Sequence, residues 1–159
     1  MSAVAWRIAK DTLEFAAADL SGGGAARTGG RWNSAGKAVV YASESVALAY
    51  LETLVHLGRE LPRNRYLVRL SIPPSVWSKA LQPNLRSLPK TWRAQPPGLG
   101  SVAFGDAWLR GAQSAVLRLP SAIVPEDNNV LINPNHADAR HITAEVVREL
   151  RYDPRLLRA

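Results

Sequence analysis

A single domain of the mixed α+β class is predicted by three observations. Segments rich in β-branched and aromatic residues, at 37–42, 65–72 and 128–134, alternate along the chain with Ala- and Leu-rich stretches of helical spacing at 45–57 and 101–111. No linker, internal repeat or low-complexity tract divides the 159 residues. A content of 47% hydrophobic against 21% charged residues supplies one real core for a chain of this length.

Composition narrows the chemistry before any motif is considered. The chain has no cysteine, so disulfides and thiolate catalysis are excluded. Its first fifteen residues mix Arg7, Lys10, Asp11 and Glu14 among apolar residues and contain no continuous export segment. No stretch reaches the length of a membrane span, and the expectation is a soluble, cytoplasmic protein without a membrane partner. The net charge of +7, from 20 Lys and Arg against 13 Asp and Glu, favours an anionic partner: a nucleic acid, a phosphorylated small molecule or an acidic protein. It does not choose among them, because Arg63, Arg65, Arg69, Arg148, Arg151, Arg155 and Arg158 are dispersed and form no run.

Taken in order, residues 4–9 read as an edge or opening strand, and Asp11 or Thr12 as the cap of a short helical piece through Ala18. Residues 21–30 hold five glycines in ten and read as a loop whose backbone can approach a ligand closely, or as a plain surface loop. The loop matches neither the G-x-G-x-x-G nor the Walker pattern. Asn33, Ser34 and Gly36 suggest a turn before the strand at 37–42. Ser43 or Ser45 then caps a helix that Gly58 closes, with Leu48, Leu51, Leu54 and Val55 as its apolar face. The alternation of 65–72 predicts a strand that Pro73 and Pro74 stop. From there to about residue 100, prolines with Trp77 and Trp92 describe a long ordered loop with short helical turns, packed by its tryptophans. A helix at 101–111 follows, with Phe104, Trp108 and Ala107 directed inward. Residues 114–125 form two apolar pieces broken at Pro120-Ser121. In the tail, Ile142 opens a helix or strand and 149–152 ends as a strand.

Candidate chemistry concentrates in residues 29–56, where a glycine-rich loop leads to Arg31, a strand carries Tyr41 and the next helix carries Glu52. An order of loop, strand and helix can bring such side chains to one cleft. Taken alone, Glu52 is more simply a boundary carboxylate, or a partner of His56 one turn on. Ser121 is either a turn former bonded to its own backbone or a donor pointing into a cleft, and it lacks the G-x-S-x-G setting of a hydrolase nucleophile. His136 and His141 are five apart without a third ligand, and no metal site is expected.

The series GGRWNSAGKAVVYAS, AYLETLVH, GDAWL, LRLPSAIVPEDNNVLINPNH and YDPRL, in that order, resembles the RES-domain family of bacterial toxins from Trp6 to Leu156. The arginine, glutamate and serine that name the family match Arg31, Glu52 and Ser121, and Tyr41 matches its motif tyrosine.

The resemblance implies a fold similar to ADP-ribosyltransferases, with small β-sheets flanked by helices around a split cleft that takes NAD as substrate. It implies degradation of NAD by hydrolysis or phosphorolysis, or transfer of ADP-ribose to a protein, and a cognate Xre-like antitoxin that blocks the cleft, with a homo-oligomer possible in the toxin–antitoxin complex. On that footing, Glu52 stabilises the positive charge that develops on ribose as nicotinamide leaves. Arg31 clamps a phosphate, Tyr41 offers its face to nicotinamide, and Ser121 bonds the carboxamide or ribose. Two alternatives stand beside it: a basic nucleic-acid-binding or ribonuclease-type toxin, for which no binding motif is present, and an inactive homologue that only binds a partner.

Overall fold

The structure is a computed structural model and describes residues 2–157. Its framework is one antiparallel sheet of six strands: β1 (Ala3–Ala9), β2 (Val40–Ser43), β3 (Tyr66–Ile72), β4 (Val116–Pro120), β5 (Asn128–Ile132) and β6 (Thr143–Glu149), in the order β4-β5-β2-β1-β3-β6. The α+β expectation holds. Residues 4–9, however, form an inner strand rather than an edge, because β1 pairs with both β2 and β3. Its alternation is the same in either position; the pairing partners, which lie far along the chain, decide the difference.

Period-2 alternation sorts the strand residues onto two faces. One face carries Ala5, Val40, Ala42, Val68, Leu70, Ile72, Val116, Val130 and Ile132, packed under Ala17, Val76 and Ile142. The other divides into two clusters. At one end Leu117, Leu119 and Leu131 pack with Trp32, Val39, Leu88 and Trp108. At the other, Leu67 packs with Leu150 and Tyr152, joined by Trp6, Ile8, Tyr50 and Leu54. The same face is therefore covered by two separate roofs, and polar residues line the gap between them.

The helices supply those roofs. Helix α2 (Val46–Leu54) starts at Ser45, whose side chain accepts from the Leu48 N–H at 3.0 Å, and turns Leu48 and Ala49 inward. The apolar face is narrower than predicted: Leu51 and Val55 are exposed. Helix α4 (Leu99–Gly111) packs through Ser101, Gly105 and Trp108, so Ala107 is exposed instead of inward. Gly105 is required there: a Cβ would lie 1.7 Å from the Trp32 carbonyl oxygen. The region between β3 and α4 is the long connection expected, with a single turn of helix, α3 (Pro74–Trp77), and a 3-10 turn at Leu85–Ser87.

Three local expectations are corrected. Residues 12–18 are not helical, because the Asp11 carboxylate accepts from the Ala17 N–H at 3.0 Å and Thr12 bonds the Phe15 backbone, closing turns that compete with a helix. The glycine-rich loop contains a short helix, α1 (Gly23–Thr28), entered through Gly22 at φ 71° and left through Gly29 at φ 71°. The second apolar piece after Ser121 is bends and turns, and strand character in the tail falls on β6, ending at Glu149 with Tyr152 buried beyond it. Arg158 lies outside the described residues. Among them, no helix is long and apolar enough to cross a membrane.

Candidate active site

The gap between the two roofs is built from one end of the sheet. Ser43 closes β2 and sits directly opposite Asn129 of β5, while Leu119 of β4 is the other neighbour of Asn129. Ser121 follows immediately after β4. Helix α2 crosses above, and Glu52, one turn after the buried Leu48, hangs from its inner side over this polar row.

Glu52 is half-buried and tightly held. Its Oε1 accepts from the Ser121 hydroxyl at 2.6 Å and from the Asn129 side-chain amide at 2.6 Å. Asn129 Oδ1 in turn accepts from the Ser43 hydroxyl at 2.8 Å. Glu52 Oε2 makes no hydrogen bond among the described residues. The expected partner His56 is exposed and takes no part: the helix ends at Leu54, and residues 55–56 turn away into solvent. One carboxylate oxygen is thus fixed by two donors, from β5 and from the residue after β4, while the other carries no hydrogen bond among the described residues.

Ser121 is fully buried, and its hydroxyl is committed on every side. It donates to Glu52 and accepts from the Ile123 and Val124 N–H groups at 3.0 and 3.2 Å. Both readings of this serine meet in that geometry, since it forms a turn on its own backbone and aims its proton at Glu52. The direct bond to a substrate carboxamide or ribose that the family resemblance suggests has no free valence in this arrangement.

Arg31 forms the opposite wall. Its Nη1 donates to the carbonyls of Trp92 at 3.0 Å and Ala94 at 2.7 Å, and Nη2 donates to the Gln95 side chain at 3.0 Å. Partial burial lowers the guanidinium below its ordinary pKa, and the charges of Glu52 and Tyr41 act in the opposite sense. The arginine therefore binds the proline-rich connection into the wall, leaving only part of its fork for an anion. Arg93 ties the same connection to the serine turn, donating through Nε to the Ala122 carbonyl at 3.2 Å.

Tyr41 sits between the walls, with its hydroxyl occupied. It donates to Asn33 Oδ1 at 2.7 Å and accepts from the Trp32 N–H at 3.0 Å. Burial pushes the phenol well above its ordinary pKa, and the nearby Asp106 charge adds to that rise, while the Trp32 bond and Arg31 oppose it. A phenol locked in this way has no proton to offer, and its ring packs against the cluster of Trp32, Val39 and Leu131. Asn33 is the organiser beneath it, donating to the carbonyls of Ala25 and Lys37, both at 2.9 Å. Asp106 accepts from the Ser34 N–H and hydroxyl at 3.0 and 2.6 Å, fastening α4 to the same turn. Asp106 and Gly105 explain the GDAWL motif, and Tyr41 with Gly30 explains GGRW: a Cβ at Gly30 would meet the Tyr41 hydroxyl at 2.9 Å.

The structure thus bonds Ser121 to Glu52, sets Arg31 close enough to Glu52 and Tyr41 to feel their charges, and adds Asn129 and Ser43, which the sequence reading missed. Asn129 occupies the inward-facing position of β5 two residues before buried Leu131. Beside Asn128 it reads as the polar end of a strand, and its pairing opposite Ser43 is what identifies it. Among the described residues, no group of three or more His, Asp or Glu is placed to hold a metal ion. Two other concavities, of about 470 and 440 Å³, lie away from Glu52, one lined by Leu20, His136 and Arg140 and the other by Leu81, Phe104 and Trp108. Neither gathers comparable chemistry. Of the dispersed arginines, Arg69 pairs with Glu145 at 3.2 Å and Arg155 with Asp153 at 2.7 Å, which removes them from a continuous basic surface.

Comparison with known proteins agrees with this architecture. The model of the RES domain family matches residues 4–155. A protein of Sphingobium sp. (strain YBL2) named "Prs ADP-ribosylating toxin" is 51% identical over 154 residues, covering 96% of each chain. Proteins named "Toxin Res" from Yersinia enterocolitica and Pseudomonas putida are 36% and 38% identical, covering 89% and 90% of this chain and 93% and 92% of their own. Among solved structures, the M. tuberculosis MbcT-MbcA toxin-antitoxin complex contains a chain of the same fold. It aligns with a TM-score of 0.65 at 16% identity, over 99% of this chain and 87% of that one.

Proposed function

The chain belongs to the RES domain family, and from that premise we propose that it is a toxin that cleaves the nicotinamide–ribose bond of NAD in the gap beneath α2, held in check by an antitoxin. The observation that carries the reading is Glu52: a half-buried carboxylate with Oε1 fixed by Ser121 and Asn129 and Oε2 left without a hydrogen bond among the described residues. When the C–N bond breaks, its electron pair leaves with nicotinamide and positive charge grows on the ribose ring. A preorganised carboxylate oxygen stabilises that charge without having to reorganise. The face of Tyr41 receives the planar leaving group. The free part of the Arg31 fork, Nε and one Nη2 proton, takes a phosphate oxygen.

The acceptor of ADP-ribose is the finer question. Water and inorganic phosphate require only a small opening beside Glu52 Oε2. A second reading, transfer to a protein side chain, is favoured by the relative at 51% identity that is named as an ADP-ribosylating toxin. Family names containing "toxin" and the structural neighbour's toxin–antitoxin complex support an antitoxin partner, for which an Xre-like protein is our proposal. Product analysis separates the acceptors: NAD is incubated with the purified chain in buffer, with inorganic phosphate, and with the protein Prs as trial acceptor. Free ADP-ribose, ADP-ribose 1″-phosphate and ADP-ribosylated protein identify hydrolase, phosphorylase and transferase respectively. Intact NAD in all three incubations defeats the proposal.

A further inference from the structure

We propose that Asn129, oriented by Ser43, is a positioning residue that sets the direction of the Glu52 carboxylate and so determines where its free oxygen points. The inference rests on the NAD-cleaving reading of the same gap and assigns a role to two residues outside its four motif positions. A glutamate side chain has three rotatable bonds, and one donor alone would leave its carboxylate free to swing about that contact. Here two donors converge on one oxygen from different strands' ends, Ser121 after β4 and Asn129 on β5, each at 2.6 Å. Together they fix the plane of the carboxylate.

The orientation of Asn129 is itself determined. A carboxylate oxygen only accepts, so the amide must turn its NH₂ to Glu52 and its Oδ1 the other way. There it meets the Ser43 hydroxyl at 2.8 Å, donated from the strand position directly opposite in β2. Ser43 is buried and donates its proton to this bond, while the helix cap is formed by Ser45, whose side chain accepts from the Leu48 N–H. The relay Ser43 to Asn129 to Glu52 thus runs across two paired strands to a helix, and sheet pairing holds its first two members in register. The charged group that acts on Glu52 from beyond these bonds is Arg31, which in turn neighbours the Tyr41 phenol.

Three variants test this with nicotinamide release from NAD. Asn129→Ala should lower kcat on the order of 10- to 100-fold, the scale of a misplaced catalytic group, with KM for NAD little changed. Ser43→Ala should lower kcat less, because Asn129 keeps its bond to Glu52 but loses its orienting partner. Asn129→Asp is nearly the same shape yet faces Glu52 with a second carboxylate. It should be worse than Asn129→Ala near neutral pH and regain activity as the pH falls and a proton returns to the pair. A purely structural Asn129 would tolerate Asp and leave the pH profile unmoved. Wild-type kcat in Asn129→Ala, or an Asp variant that follows the wild-type pH profile, overturns the assignment.

A measurement on the folded wild-type chain guards against variants that do not fold. The Asn129 side-chain amide protons should give a shifted, slowly exchanging NMR signal that moves towards ordinary exposed values in Glu52→Gln. An Asn129 signal indifferent to that change also overturns the assignment. Failure of the wild-type chain to release nicotinamide would remove the NAD reading, and the NMR result would still decide whether Asn129 holds Glu52.

Discussion

Arg31 and Glu52 face each other across the same gap, yet different parts of the chain immobilise them. The carboxylate is held by Ser121 and Asn129, which belong to the ends of paired strands. The guanidinium is held by the carbonyls of Trp92 and Ala94 and by Gln95, all in the long connection between α3 and α4. Strand register is set by many bonds at once, whereas a long connection is set by a few. The acid therefore inherits the rigidity of the sheet, and the cation is only as well placed as the segment it has gathered around itself. Under the proposed cleavage of NAD, the division gives the bond-breaking step one fixed oxygen and leaves the substrate phosphates to an adjustable wall.

The largest expected effect tests the rigid side. Glu52→Gln removes the charge and keeps the shape, and kcat for nicotinamide release should fall by an amount equivalent to ~2–4 kcal/mol of transition-state stabilisation, with NAD affinity retained. Steady-state kinetics checks it, and a comparable loss in affinity would instead assign Glu52 to binding.

Next comes the support of the cationic wall. Gly105→Ala places a Cβ 1.7 Å from the Trp32 carbonyl oxygen, a collision with backbone that no rotamer relieves. Urea unfolding should show a loss of about 2–3 kcal/mol. An unchanged midpoint would mean that α4 is not seated on the Arg31 turn.

Tyr41→Phe should cost about 1–3 kcal/mol, because it strands the Trp32 N–H and Asn33 Oδ1 in a buried place. The same residue gives an alkaline signature. Burial raises the phenol above its ordinary value in the folded chain, so as pH climbs past roughly 10 the unfolded chain ionises first. Stability is intact below that pH and declines above it, a decline the Phe variant should lack. Thermal unfolding between neutral and alkaline pH reads the difference directly.

The smallest effect sharpens the comparison itself. Arg31→Lys retains the charge but cannot reach three acceptors from one ammonium, and the connection should loosen locally by about 1 kcal/mol. Hydrogen exchange at residues 92–95 should quicken while residues 128–132 stay protected. Equal acceleration in both would show that the two walls are not independently held.

How much of this was legible in the chain depends on how far apart the deciding atoms are. Strand β3 alternates plainly, and helix α2 announces itself through Ser45 and its leucines, so those elements were readable from local pattern. The helix expected at 12–18 failed because the Asp11 and Thr12 side chains bond nearby backbone, a contest that alanine content does not reveal. Helix α1 was invisible among glycines, since tertiary bonds such as Asn33 Nδ2 to the Ala25 carbonyl help to hold it. In the site, Arg31, Tyr41, Glu52 and Ser121 were identifiable as candidates, but their convergence depends on β4 and β5 returning beside β2. Asn129 escaped notice because beside Asn128 it reads as the polar end of a strand; only its register opposite Ser43 turns it towards Glu52.

The most direct test of the central claim is a time course of nicotinamide formation from NAD by the folded, antitoxin-free chain, with Glu52→Gln run alongside. A fixed carboxylate acting on the nicotinamide–ribose bond predicts multiple turnovers by the wild-type chain, and a variant that binds NAD but releases nicotinamide at no more than about a thirtieth of that rate. NAD that survives the wild-type chain, or equal release by both proteins, would contradict it.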